Sequence, residues 1–145
     1  MPIRLGIIGL SADPSAWASM AHVGPLKSPA LSEKYKITAI ATSNPESAKA
    51  SAKFHGVPEN KAYHSAEAIA NDPDVDMVVV SVKVPLHKQM ALPALKAKKP
   101  VYVEWPLGVS LAEAEELAAV AKKQGVKTVM GLQNRQAPVM LKVRY

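Results

Sequence analysis

There is no cysteine in the 145 residues. That removes disulfides, thiolate zinc ligands and thiol nucleophiles, and it is compatible with a reducing compartment without requiring one. Aromatic residues are scarce too, at 5% with a single phenylalanine, so the core must be aliphatic and an aromatic platform for single-stranded nucleic acid has little to draw on. No run of eighteen apolar residues exists to span a membrane, and the opening Met1-Pro2-Ile3-Arg4-Leu5-Gly6 lacks the charged and apolar regions of a signal peptide. A soluble, intracellular protein is expected. Acidic residues are in the minority, 12 against 18 Lys and Arg, giving a net charge of +6 and a pI near 9.6. The lysines are scattered, however. Lys96, Lys98, Lys99, Lys122 and Lys123 fall where helices should end, where cations complement the helix dipole, and no arginine cluster accompanies them, so nucleic acid is not the expected partner. His22, His55 and His64 show neither metal-ligand spacing nor a carboxylate partner in sequence; they read as structural or exposed, and no metal is expected.

What the chain does have is 48% hydrophobic residues, enough for one compact domain with a core, arranged in an alternating pattern. Ile3 to Gly9, Lys36 to Thr42, Val75 to Val82, Pro100 to Glu104 and Lys127 to Leu132 are short, β-branched and nearly continuous in apolar character, as strands buried on both faces are. Between them lie helical stretches with recognisable ends. Asn44 caps a helix that opens at Pro45 and stops at Gly56; Ser110-Leu111-Ala112-Glu113 is a capping box opening a helix that runs to Gly125. A further helix is expected from Pro85 to about Lys98, kinked at Pro93, which should free a carbonyl near Gln89. Strand, helix, strand in this order implies right-handed crossovers, hence a doubly wound α/β domain: a mainly parallel sheet with helices on both faces.

Ligands of such sheets bind beyond the carboxyl ends of the strands. A dinucleotide fold places Gly-x-Gly-x-x-Gly after the first strand, where backbone amides approach the pyrophosphate. Here Gly9-Leu10-Ser11 keeps the first glycine, replaces the second with serine, and inserts Ala12 to Ala16 before Trp17 and a helix leading to His22. Ser11 and Ser15 are placed to donate to a phosphate, but the same letters describe a merely longer loop. After the second strand, where an acidic residue would take the ribose hydroxyls and repel a 2′-phosphate, the chain has Thr42, Ser43 and Asn44, followed by Lys49 and Lys53. NADP is therefore at least as compatible as NAD, although Asn44 alone also reads as a plain helix cap.

Ser81-Val82-Lys83-Val84-Pro85-Leu86-His87, then Val103-Glu104-Trp105-Pro106, then Gly131-Leu132-Gln133-Asn134-Arg135, in that order, resemble the Gfo/Idh/MocA family of nicotinamide-dependent sugar and inositol oxidoreductases across essentially the whole chain. The resemblance implies a Rossmann fold over residues 1–135, with Pro85 and His87 in the turn beside the cofactor. The family's Glu-Lys-Pro turn ends the fifth strand with a lysine that reaches substrate and nicotinamide. In this chain that position is Trp105. An indole donates one hydrogen bond and does not titrate, so no catalytic residue is assigned; Lys83, one strand away, is the only nearby amine that could substitute, and it reads as a solvent-facing or phosphate-facing residue instead. The cofactor-binding set implied is Gly9, Leu10, Ser11, Trp17, Ser43, Asn44, Ser81, Val82, Lys83, Pro85, His87, Glu104 and Trp105. Glu104 would accept from the cofactor or hold its turn, with the structural role preferred, and His87 reads as a turn-stabilising residue more than as a base. The Trp105-Pro106 peptide is expected to be cis.

Gly-Leu-Ser with its expanded loop, Trp17, and the Tyr102-Val103-Glu104-Trp105 run are most similar to the fungal galactose-pathway corepressor group within this family. That similarity implies a second role, a regulatory module that senses or has lost the dinucleotide and docks a partner near Trp105, with the nucleus as an alternative to the cytoplasm. Family members carry a further α/β domain after this one. Residues 136–145 are expected to begin the helix leading into it, and the apolar Val139, Met140, Leu141 and Val143 to lie against a following domain, another protein or a second copy of the chain.

Overall fold

A computed structural model describes residues 1–132, 135 and 137–143. Six strands form one sheet: β1 (Ile3–Ile8), β2 (Tyr35–Ala41), β3 (Ala62–Tyr63), β4 (Met77–Val80), β5 (Val101–Glu104) and β6 (Thr128–Gly131). Their order is β3-β2-β1-β4-β5-β6, every neighbouring pair is parallel, and the order reverses between β1 and β4. This is the Rossmann arrangement, and it puts the ligand crevice at the carboxyl ends of β1 and β4. The central runs that read as buried strands are buried: Val78 and Val80 face one side and Val79 the other, each 7% exposed or less; the edge strand β6, which read the same way, is not, because only one neighbour covers it and Val129 and Met130 stay exposed. Five strands begin and end within two residues of their expected limits. The sixth, β3, was not expected, because two residues carry no periodicity.

The helical elements are α1 (residues 17–26), α2 (Pro29–Ser32), α3 (Pro45–His55), α4 (Ala66–Ala70), α5 (His87–Lys96), α6 (Leu111–Gln124) and α7 (Pro138–Val143). Side chains from α4, α5 and α6 pack on one face of the sheet with Ile8, Val78, Val80, Val101 and Val103. Ala18 and Val23 of α1 and Ala52 of α3 pack on the other with Leu5, Ile7, Ile40 and Val79. The period-two alternation of the central strands thus serves two separate core layers.

Helix limits follow their chemistry. Asn44 Oδ1 accepts from Ser47 N at 2.8 Å, and α3 closes on Gly56 in the left-handed region. Ser110 Oγ accepts from Glu113 N at 3.3 Å; the Glu113 carboxylate reaches back to Val109 N, one residue earlier than a standard capping box. Before α5, the Val84–Leu86 segment winds as a 3-10 turn, so the α-helix proper starts at His87 and runs unbroken through Pro93 to Lys96. In α1, Ser19–Val23 form a π-turn. On α7, Val139, Met140, Leu141 and Val143 are exposed. Gln133, Asn134, Gln136, Arg144 and Tyr145 lie outside the described residues. No helix among those described is long and apolar enough to cross a membrane.

Candidate functional site

The first strand delivers Gly9 to the switch point with φ +96°, and a Cβ there would stand 2.0 Å from the Ser81 carbonyl oxygen. Only glycine permits this approach. It joins the ends of β1 and β4 and opens beside them a crevice of about 490 Å³. Gly9, Ser11, Ser43 and Val82 line it, together with Thr42, Ser47, His64, Ser65, Glu67 and Gln89. Four of the residues named from sequence are therefore brought to one cavity. His64, Ser65 and Glu67 were missed as site residues because they follow the unanticipated β3. Ser65, which caps α4 by accepting from Ala68 N, was the one available signal.

The loop after Gly9 keeps its shape without the missing glycines. Ser51 Oγ donates to the Leu10 carbonyl at 2.6 Å, and His55 Nε2 lies 2.7 Å from the Ser11 carbonyl. In a trans peptide the next N–H points opposite to the carbonyl, so the amides of Ser11 and Ala12 point away from α3. The Leu10 side chain is fully buried, which leaves its backbone as the part able to meet a ligand. Farther on, Asp13 Oδ1 accepts from both Ser15 N and Ser15 Oγ. Ser15 is thus committed within the loop.

A second group of expected residues forms its own cluster. Glu104, at the end of β5, is 6% exposed; its Oε1 accepts from Trp17 Nε1 at 2.6 Å and Ser81 Oγ at 2.9 Å and faces His22 Nε2 at 2.8 Å. Burial works against the charged form of this carboxyl, but the bonds from His22, Ser81 and Trp17 outweigh it and hold the group below the usual carboxylate range. His22, expected to lack a carboxylate partner, therefore has one, 82 residues away in sequence. It also meets the Tyr102 ring edge-on at 5.6 Å.

His87 is 1% exposed and spans two elements: Nδ1 is 2.8 Å from the Pro106 carbonyl and Nε2 is 2.9 Å from the Val82 carbonyl. The turn-stabilising reading fits this geometry. The Trp105-Pro106 peptide is cis, and the Trp105 side chain is 58% exposed at the turn. Lys83 and Pro85 are exposed just before α5, and Asn44 is occupied as the cap of α3. An apolar hollow of about 290 Å³ on the α1 face, lined by Leu5, Ile7, Met77, Val79 and Val129, has only His22, Tyr35 and Tyr102 as polar neighbours and is ill suited to phosphates. Among the described residues no group of three metal-ligating side chains occurs.

A crevice at the switch point and a glycine pressed on the neighbouring strand suit a dinucleotide. Comparison with known proteins agrees. The family described as oxidoreductase family, NAD-binding Rossmann fold, matches residues 3–132. A dehydrogenase of Aspergillus oryzae, aclE, is 53% identical over 142 residues, 98% of this chain and 39% of its own. The galactose/lactose metabolism regulatory protein GAL80 of Saccharomyces cerevisiae is 30% identical over 149 residues, 99% of this chain and 34% of its own. The crystal structure of a super-repressor mutant of Gal80p from the same yeast superposes with a TM-score of 0.86 at 30% identity, covering 99% of this chain and 38% of that one. The chain thus spans between about a third and two fifths of the length of these relatives. It belongs to the Gfo/Idh/MocA oxidoreductase family, as a domain of its NAD-binding Rossmann fold.

Proposed function

We propose that this domain binds NAD or NADP along the carboxyl edge of its sheet and holds no proton-transfer group of its own at the nicotinamide end. The observation that carries the reading is the Gly9–Ser81 approach, which opens the crevice between β1 and β4. The adenosine half lies against Ser43 and Ser47, and the phosphates meet the Ser11 and Ala12 amides. The nicotinamide reaches the Trp105 turn. There an exposed indole replaces the amine by which the family polarises a hydroxyl while hydride moves to the nicotinamide ring. Proton transfer in the whole protein is then supplied by groups beyond this domain.

For the cofactor, hydroxyls at the end of β2 leave room for a 2′-phosphate. Lys49, however, is paired with Glu59 at 2.9 Å, and Glu67 lines the same crevice and opposes one. Both cofactors are therefore titrated side by side, in oxidised and reduced forms, with indole emission and calorimetry as readouts. Absence of binding at millimolar concentration refutes the reading.

The similarity to a regulatory protein and the two exposed indoles, Trp17 and Trp105, support a second reading, in which cofactor binding tunes the grip on a protein partner. The uncovered apolar side of α7 suits contact with further protein, whether a following domain, a partner or a second copy. Tight cofactor binding with no turnover, even after Trp105→Lys, favours this second reading.

A further inference from the structure

Ser11 of the 10–16 loop lines the crevice and the loop runs on to Trp17, yet the residue that ties this far end to the sheet does not line it. Glu104 gathers Trp17, His22 and Ser81 on one oxygen, joining α1 to the ends of β4 and β5. This convergence depends on the way α1 is wound. Residues five apart in a regular α-helix point roughly 140° away from each other. The π-turn over Ser19–Val23 widens the helix so that the fifth residue comes back over the first, and Trp17 and His22 reach the same atom. Within that turn Ser19 Oγ is buried without a hydrogen-bond partner among the described residues, so the polar ties of this stretch to the sheet run through Trp17 and His22. Between its two anchors the side-chain bonds of the loop, among the described residues, are to the loop itself, through Ser11, Asp13 and Ser15; one anchor is α3, through Ser51 and His55, and the other is Glu104.

We propose that Glu104 is a positioning residue for dinucleotide binding, acting through the Trp17 indole to hold the 10–17 segment in the shape that receives the phosphates; this rests on the NAD(P)-binding reading above. Charge matters here as much as shape. A carboxylate oxygen accommodates several donors, whereas the carboxamide of Gln offers one oxygen with two lone pairs and brings an NH₂ into a site filled with donors.

The test uses the whole chain as wild type, Glu104→Gln, Trp17→Phe and the double variant, each checked for a cooperative melting transition and titrated calorimetrically with NADH and NADPH. Each single variant should weaken binding roughly tenfold, equivalent to about 1.4 kcal/mol. The double variant should be no weaker than the singles, because both remove one tether. In a Trp105→Phe background, Glu104→Gln should also lower the emission anisotropy of Trp17 before cofactor is added, a change that general destabilisation of a still-folded domain would not produce. Wild-type affinity in Glu104→Gln overturns the proposal, and so do multiplicative losses in the double variant. Should Glu104→Gln fail to fold, Trp17→Phe decides: unchanged affinity there overturns the proposal equally. A wild-type chain that binds neither cofactor refutes the NAD(P) reading itself, an outcome distinct from either of these.

Discussion

Gly9 stands so close to Ser81 that a methyl group on its Cα would lie 2.0 Å from the Ser81 carbonyl oxygen, which is backbone and cannot swing aside. Gly9→Ala should therefore cost about 3 kcal/mol or more, from strain at positive φ and from forced separation of β1 and β4. Gly56 is the matched control. It too has positive φ, but an added Cβ there meets nothing within 4 Å, so Gly56→Ala should cost only about 1 kcal/mol. Urea unfolding of the two variants checks the difference, and cofactor affinity should fall in the first alone.

His87 joins the end of β4 to the turn after β5 through two carbonyls, at Val82 and Pro106. Both are acceptors, so a neutral ring satisfies one at a time and a doubly protonated ring satisfies both. His87→Ala removes both contacts and leaves a cavity, and should destabilise the fold by about 2–4 kcal/mol. His87→Gln, able to donate to one carbonyl, should recover part of this. Chemical denaturation measures the ranking, and hydrogen exchange of the amides in the Gly108–Ser110 turn should rise in both variants.

The main strands, the capped helices and the switch-point crevice were legible because each rests on local chemistry: apolar runs, Asn44 and Ser110 as caps, Gly56 and Gly125 as stops. What escaped was set by contacts distant in sequence. The π-turn in α1 has no signature in the letters, and without it Trp17 and His22 fall on different faces; His22 was accordingly read without its carboxylate. Glu104 was recognised at the end of its strand, but its three partners come from two other elements. The crevice wall at His64, Ser65 and Glu67 was hidden behind a two-residue strand whose place is set by pairing with Ile40 and Ala41, far away in sequence.

Acid should destabilise the domain in a defined window. The guanidinium of Arg4 and its backbone N–H, both bonded to Asp76, lower the Asp76 carboxyl to about 2, and Glu104 is also held below its ordinary range. A carboxyl whose folded value is depressed contributes stability above its unfolded value and loses it as pH falls through the folded one. Stability should thus be level above about pH 5 and decline toward pH 2. Asp76→Asn should make the decline shallower, which melting temperatures measured across that range at fixed ionic strength will show.

Asp72 and Asp74 share the Lys61 ammonium, at 2.8 and 2.7 Å, but differ in burial: the Asp72 side chain is 1% exposed and that of Asp74 is 55%. Asp72 also accepts from Tyr63 Oη at 3.0 Å and from the Asp74 amide at 2.9 Å. Losing the buried charge leaves those donors and Lys61 poorly matched inside the fold, whereas losing the exposed one exchanges a screened contact for water. Asp72→Asn should accordingly cost about 3 kcal/mol, at the lower end for a broken buried pair because Lys61 keeps Asp74, and Asp74→Asn distinctly less. A cycle with Lys61→Met isolates the pair energy by denaturant unfolding, and equal costs for the two aspartates would show that burial does not set their contributions.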